Sequence, residues 1–261
     1  MAEKLNSMLE RLDTSMKQRR RFLADASHEL RTPVAALMTA LELGTRRTRD
    51  AQSYREILEA CLADARHLRR LVEALMAQVK GEAPVDAGGW ETIDLRDFIH
   101  ECTAIVRPLA EVKSVQISSV AEEVASIRTQ PTRLRSVLLN LLSNAIEYNR
   151  VGGRIDLTAE RTGGWVELEV RDTGPGIAPE HLSHVFQPFF RADESRQASE
   201  HLGLGLFLVQ SHVKALGGEV SVQSELGAGT AFRVRLPASA PGPAAISAAS
   251  EAVRAPQAVK I

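Results

Sequence analysis

Five short stretches of this sequence bring together residue types that could do chemistry. In Asn140-Leu141-Leu142-Ser143-Asn144 two amides stand at i and i+4 within an apolar helical pattern. They share one helical face and offer two oxygens to one hard cation, as Mg2+ between phosphates and protein requires. The same pair also fits an ordinary polar stripe on a half-buried helix. Asp172-Thr173-Gly174-Pro175-Gly176 follows the alternating run from Val166 to Val170 directly. A carboxylate at a strand end can accept a hydrogen bond from an exocyclic amine, and the glycines let backbone approach a flat ligand; a plain strand-to-helix turn is the competing reading. Gly203-Leu204-Gly205-Leu206 opens an apolar helix, so its free N-H groups can receive a phosphate, or the glycines can simply allow close packing. Gly227-Ala228-Gly229-Thr230 reads either as a further ligand loop or as a hairpin turn.

The fifth stretch is His28-Glu29. At about 100° per residue, Ala26 and Leu30 lie about 200° from His28 and Leu23 about 140°, so the imidazole points away from the apolar stripe. Thr32 lies about 40° from His28 and Arg31 about 60° the other way, so both share its side of the helix. A solvated polar face is the plain alternative. The remaining histidines, His67, His100, His181, His184, His201 and His212, read as surface residues.

The elements that must position these residues follow from periodicity. From Leu5 to about Val79 Gly and Pro are almost absent and apolar residues recur at helical spacing, with a break from Gly44 to Asp50. That predicts an antiparallel helical hairpin whose two apolar stripes are fully covered only when two copies pair as a four-helix bundle, hence a homodimer. Gly81 to Gly89 is rich in Gly, Pro and small residues and reads as a linker. Beyond it, helical patterns at Leu95 to about Ala110, Pro131 to Tyr148 and Leu204 to Leu216 mix with short strands. The strands are expected at Val115–Ser119, Arg154–Arg161, Trp165–Val170, Glu219–Ser224 and Thr230–Leu236. The fold class is therefore α+β: a helical hairpin followed by one mixed sheet with helices on a face. The run from Pro237 onward, Ala, Ser, Pro and Gly, reads as a disordered tail.

Composition narrows the function. With 32 Lys plus Arg against 33 Asp plus Glu among 261 residues, no global basic field draws the chain to nucleic acid or acidic lipid. Cys61 and Cys102 form no ligand cluster and suit a reducing cytosol. No apolar run approaches the roughly 18 residues of a membrane span, and Met1-Ala2-Glu3-Lys4 lacks the apolar core of a signal peptide, so no membrane contact is expected of the chain as given.

In order along the chain, these motifs resemble those of the sensor histidine kinases. Phe22-Leu23-Ala24-Asp25-Ala26-Ser27-His28-Glu29-Leu30-Arg31-Thr32-Pro33 is similar to the family's H box. Asn140 to Asn149, Asp172 to Gly176, Phe186 to Arg191, Gly203 to Leu206 and Gly229-Thr230 look like the boxes of its ATP-binding domain, which belongs to the superfamily shared with DNA gyrase. The resemblance implies a division into a HAMP-like helix end (1–16), a dimerisation and phosphoacceptor domain (17–80), a linker (81–90), an ATP-binding domain (91–237) and the tail (238–261). It implies ATP and Mg2+ as cofactors, with Asn140 and Asn144 on the metal and Asn140, Asn144, Tyr148, Asp172, Gly174, Gly176, Gly203, Leu204, Gly205, Leu206 and Thr230 around the nucleotide. It implies His28 as phosphoacceptor, Glu29 as its base, Thr32 in dephosphorylation of a response regulator receiver domain, and a membrane sensor upstream, this part lying in the cytoplasm and the natural protein in the inner membrane.

Two residues depart from the family pattern. Glu147 stands where the N box usually carries a basic residue, and His201 where the lid commonly has another glycine. A carboxylate near a triphosphate is repulsive unless Mg2+ intervenes, so a replacement cation is expected, with Arg191 the candidate. Two rival functions are disfavoured by the sequence: the H box speaks against an ATP-driven conformational machine of the gyrase type, and intact Asn140, Asn144, Asp172 and Gly203 against a phosphorelay or scaffold protein whose nucleotide domain has decayed.

Overall fold

The computed structural model describes residues 22, 24, 26–27, 29–80 (77–80 as main chain), 89–121, 126–191 and 203–239. The HAMP-like segment 1–16, His28, linker residues 81–88, lid residues 192–202 including His201, and 240–261 of the expected tail lie outside the described residues. The chain forms two compact units, 1–81 and 82–261.

In the first unit, helix α1 runs through 29–45 and α2 spans Ala51–Lys80. Asp50 caps α2: its Oδ1 accepts from Ser53 N–H at 2.7 Å and its Oδ2 from the Ser53 hydroxyl at 2.9 Å, occupying donors that the first helical turn leaves unpaired. A Cβ on Gly44 would sit 3.7 Å from Ile57 Cγ2, so the end of α1 lies against the start of α2. Phe22, Ala26, Leu71 and Ala74 are buried, while Val34, Met38 and Leu41 on α1 and Tyr54, Leu58 and Leu62 on α2 stay exposed at i, i+4 and i+7 or i+8.

The second unit is a five-stranded sheet of β2 (Gln116–Ala121), β4 (Arg154–Thr162), β5 (Trp165–Asp172), β6 (Glu219–Glu225) and β7 (Gly229–Pro237), in the order β2-β4-β5-β7-β6. Only β2 and β4 run parallel. Alternation sorts each strand: Ile155, Leu157, Ala159, Val166, Leu168, Val170, Phe232, Val234 and Leu236 are buried, and Glu167, Glu169, Arg233 and Arg235 point to the other face. There Arg233 Nε meets Glu169 Oε2 at 2.6 Å, and the two Arg171 and Arg233 guanidiniums help hold the Glu169 carboxyl below its ordinary value against the opposing effect of burial.

The apolar face is covered by helices α3 (Leu95–Val112), α4 (Pro131–Glu147) and α6 (Gly205–Ala215). Asp94 caps α3 through bonds from the N–H groups of Arg96 and Asp97, at 2.9 and 3.1 Å. Pro131 opens α4, where its missing N–H costs nothing. The sequence reading did not anticipate the short strands β1 (Glu91–Asp94) and β3 (Ser126–Thr129), which pair as a separate antiparallel ribbon, nor the one-turn helix α5 (Pro179–Leu182). Four-residue elements are too short to display a period.

His212 is not a surface residue but is 9% exposed between α6 and α4. Burial, aided by the charge of Arg133, pushes its pKa down to about 4.

Candidate functional site

The site begins with α4. Its buried face, Leu134, Val137, Leu138, Leu141, Leu142, Ala145 and Ile146, sets the rotation of the helix, and Asn140 and Asn144 then fall together on the half-buried side. Asn140 Nδ2 donates to the Ser136 carbonyl at 2.8 Å, which turns its Oδ1 outward. That oxygen meets the start of α6: a Cβ on Gly205 would lie 3.1 Å from Asn140 Oδ1 and 3.8 Å from the Asn144 amide. Any larger residue at 205 would press into the amide pair. Leu204 is buried, and Leu206 packs on the core. The start of α6 is thus brought beside the two amides, an arrangement able to set phosphate-receiving N–H groups next to oxygens that suit a hard cation.

Gly203 connects this corner to the aromatic box. Its carbonyl accepts from Phe189 N–H at 3.0 Å, and Phe186 packs edge-on against Phe232 with centroids 6.3 Å apart. Arg191 is half-buried at the end of this box, where the described part of the lid stops.

Asp172, 8% exposed, is the last residue of β5. Its Oδ1 accepts from the Gly174 N–H at 2.8 Å and the Thr230 N–H at 3.3 Å. Burial raises its pKa, and those two N–H groups oppose the rise. Gly229 is required here: its φ is +106°, and a Cβ would fall 2.0 Å from the Asp172 carbonyl. Gly176 passes equally close to the Glu225 carbonyl, Gly174 lies against the Tyr148 carbonyl, and the Tyr148 ring is exposed beside them.

Two supporting residues escaped the sequence reading. Ser224 Oγ accepts from Ile177 N–H and donates to the Gly229 carbonyl, both at 2.8 Å, and lies 2.9 Å from Thr230 Oγ1. Asn149 is buried beneath the loop that follows Asp172. A serine in a polar strand carries no signal of its own, and Asn149 stands in the sequence only as the last residue of the stretch Asn140 to Asn149. Lys113, also unremarked, donates from Nζ to the Glu147 carbonyl, so a cation reaches the end of the N-box helix from the end of α3.

In the helical unit, Glu29 is half-buried, Arg31 and Thr32 are exposed and Pro33 is buried. A helix pair carrying an H box, joined to a sheet whose one face holds an amide pair, a glycine-opened helix and a buried carboxylate, defines a chain built to handle ATP. The family model described as histidine kinase-, DNA gyrase B- and HSP90-like ATPase matches residues 129–240. That of the His Kinase A phospho-acceptor domain matches residues 18–84. The chain belongs to the sensor histidine kinases.

It is 32% identical over 234 residues to the sensor histidine kinase CusS of Escherichia coli O6:H1, covering 89% of this chain and 48% of that protein. It is 34% identical over 222 residues to the histidine protein kinase DivJ of Caulobacter vibrioides, covering 84% of this chain and 37% of that one. The crystal structure of full-length ShkA in complex with AMPPNP superimposes with a TM-score of 0.65 and 27% identity, over 84% of this chain and 46% of ShkA. The chain therefore spans about half the length, or less, of these curated relatives.

Proposed function

We propose that the chain is the catalytic core of a sensor histidine kinase that moves the γ-phosphoryl group of ATP to His28 and then to an aspartate on a response regulator receiver domain. The observation that carries the reading is the meeting of Asn140, Asn144 and the Gly205 helix start on one side of α4 and of Tyr148, Gly174 and Asp172 at its C-terminal end, in a chain that also bears the H box. The division into 1–16, 17–80, 81–90, 91–237 and 238–261 belongs to the same proposal.

The donor set fits the nucleotide. Asp172 Oδ2 accepts the exocyclic amine of adenine, the Tyr148 ring borders the base, and Thr230 and the glycines at 174 and 176 shape the wall. The amide oxygens of Asn140 and Asn144 would hold Mg2+, a hard cation that would neutralise charge on the phosphates. The N–H groups from Gly203 to Leu206 hold the phosphates. The His28 ring nitrogen forms a bond to the γ-phosphorus as the bond to the leaving ADP oxygen breaks, and the Glu29 carboxylate receives the ring proton. Arg191 supplies the cation that Glu147 does not.

The exposed apolar rows on α1 and α2 support a homodimeric four-helix bundle. Exposed Arg31 and Thr32, one turn from His28, are suited to a receiver domain's phosphoaspartate and the water that removes its phosphoryl group. No helix among the described residues is long and apolar enough to cross a membrane. The HAMP-like pattern in residues 1–16 supports a place on the cytoplasmic side of an inner-membrane sensor.

Incubation with γ-labelled ATP and Mg2+ tests the proposal. We expect acid-labile, base-stable label that is absent from His28→Gln while nucleotide binding persists. ATP hydrolysis without label would favour a conformational ATPase, and no binding at all a decayed relay protein.

A further inference from the structure

Asn149 follows the C-cap of α4, and its side chain lies under the loop that carries Asp172 and Gly174. It is 5% exposed, and both its nitrogen and its oxygen are hydrogen-bonded. Nδ2 donates to the Arg154 carbonyl at 3.1 Å, and Oδ1 accepts from Arg150 N–H at 3.0 Å and from the Thr173 hydroxyl at 3.3 Å. The Thr173 hydroxyl accepts in turn from Arg154 N–H at 2.9 Å, and Thr173 N–H donates to the Arg154 carbonyl at 3.1 Å. The surroundings are closed, since a Cβ on Gly153 would fall 2.2 Å from Asn149 Oδ1. One side chain thus ties together the end of α4, the first residue of β4 and the loop after β5.

The bond to Thr173 separates this arrangement from simple helix capping. Capping α4 needs nothing from a residue 24 positions away. Thr173 sits between Asp172 and Gly174, and the Gly174 N–H is the shorter of the two bonds that hold Asp172 Oδ1. Turning the Thr173 peptide would release that bond and swing the carboxylate. We infer that Asn149 is a positioning residue for base recognition: through the Thr173 hydroxyl it fixes the loop so that Asp172 Oδ2 faces the exocyclic amine. This rests on the adenine reading of Asp172 proposed above.

The test is equilibrium titration of the full chain with ADP and with GDP, for the wild type, Asn149→Ala, Thr173→Val, Thr173→Ser and the Asn149→Ala/Thr173→Val double variant. The wild type should prefer ADP. Asn149→Ala and Thr173→Val should each weaken ADP roughly tenfold with little change for GDP, because guanine in the same pose sets a carbonyl oxygen, not an amine, against the oriented carboxylate. Thr173→Ser, which keeps the hydroxyl, should retain the preference, and the double variant should be no worse than the poorer single one. Thr173 is only half-buried, so its pair of variants decides the matter even if Asn149→Ala does not fold. An unchanged ADP-to-GDP ratio in Thr173→Val and Asn149→Ala, whatever their melting temperatures, would overturn the role of Asn149. A wild type that does not separate ADP from GDP would instead remove the adenine reading itself.

Discussion

In the proposed site Asn144 and Asp172 serve opposite ends of a nucleotide, and their variants should differ in kind. Asn144→Ala takes an oxygen from the donor pair facing the α6 start. We expect Mg2+-dependent binding of an ATP analogue to fall by at least the roughly 10- to 100-fold that loss of even an outer-shell partner costs a metal site, with Mg2+-free binding little changed. Asp172→Asn exchanges a charged acceptor for an amide at a buried position, which costs about 1.5 to 3 kcal/mol of adenine recognition with or without metal. Calorimetric titrations in Mg2+ and in chelator separate the two, and parallel losses in both buffers for Asn144→Ala would remove it from the metal.

Helices α4 and α6 meet at the site through Gly205 and, two turns along α6, through His212. His212 Nδ1 has no hydrogen-bond partner among the described residues, and Arg133 is the nearby charge. With its folded pKa lowered from 6.5 to about 4, the folded ring stays neutral where the unfolded ring takes a proton. The stability this neutral ring contributes is fully present above pH 6.5 and is lost as pH falls towards 4, to the extent of about 3 kcal/mol. Urea denaturation at pH 7 and pH 5 should show His212→Gln to be less pH-dependent than the wild type by about one bound proton. Equal slopes would mean that His212 reaches water or a partner.

At the scale of the molecule, the hairpin's exposed rows are what a second copy would cover. Leu58 is 63% exposed and Met38 56%. Burying such side chains is worth about 1.5 to 3 kcal/mol each, so a charge at both positions should weaken a dimer severely. In sedimentation, Met38→Glu/Leu58→Glu is expected to run at about half the wild-type mass, with ADP affinity retained because the nucleotide residues all lie in the other compact unit. A wild type that is already monomeric would remove the bundle from the proposal.

Much of this protein was determined by local pattern. Apolar spacing predicts α3, α4 and α6 and the five strands of the large sheet to within a residue or two at most ends, because a helix or strand buried on one face must repeat at its own period. The amide pair and the glycine boxes were likewise legible, since close backbone approach leaves no alternative to glycine at Gly229. Other features depend on residues distant in sequence. The β1–β3 ribbon joins strands more than thirty residues apart, His212 is buried only because α6 lies along α4, Lys113 reaches Glu147 across a helix gap, and Asn149 finds Thr173 only once β4 and β5 pair. Periodicity records which face a residue occupies; hydrogen bonds and burial depend on what the tertiary fold sets against that face.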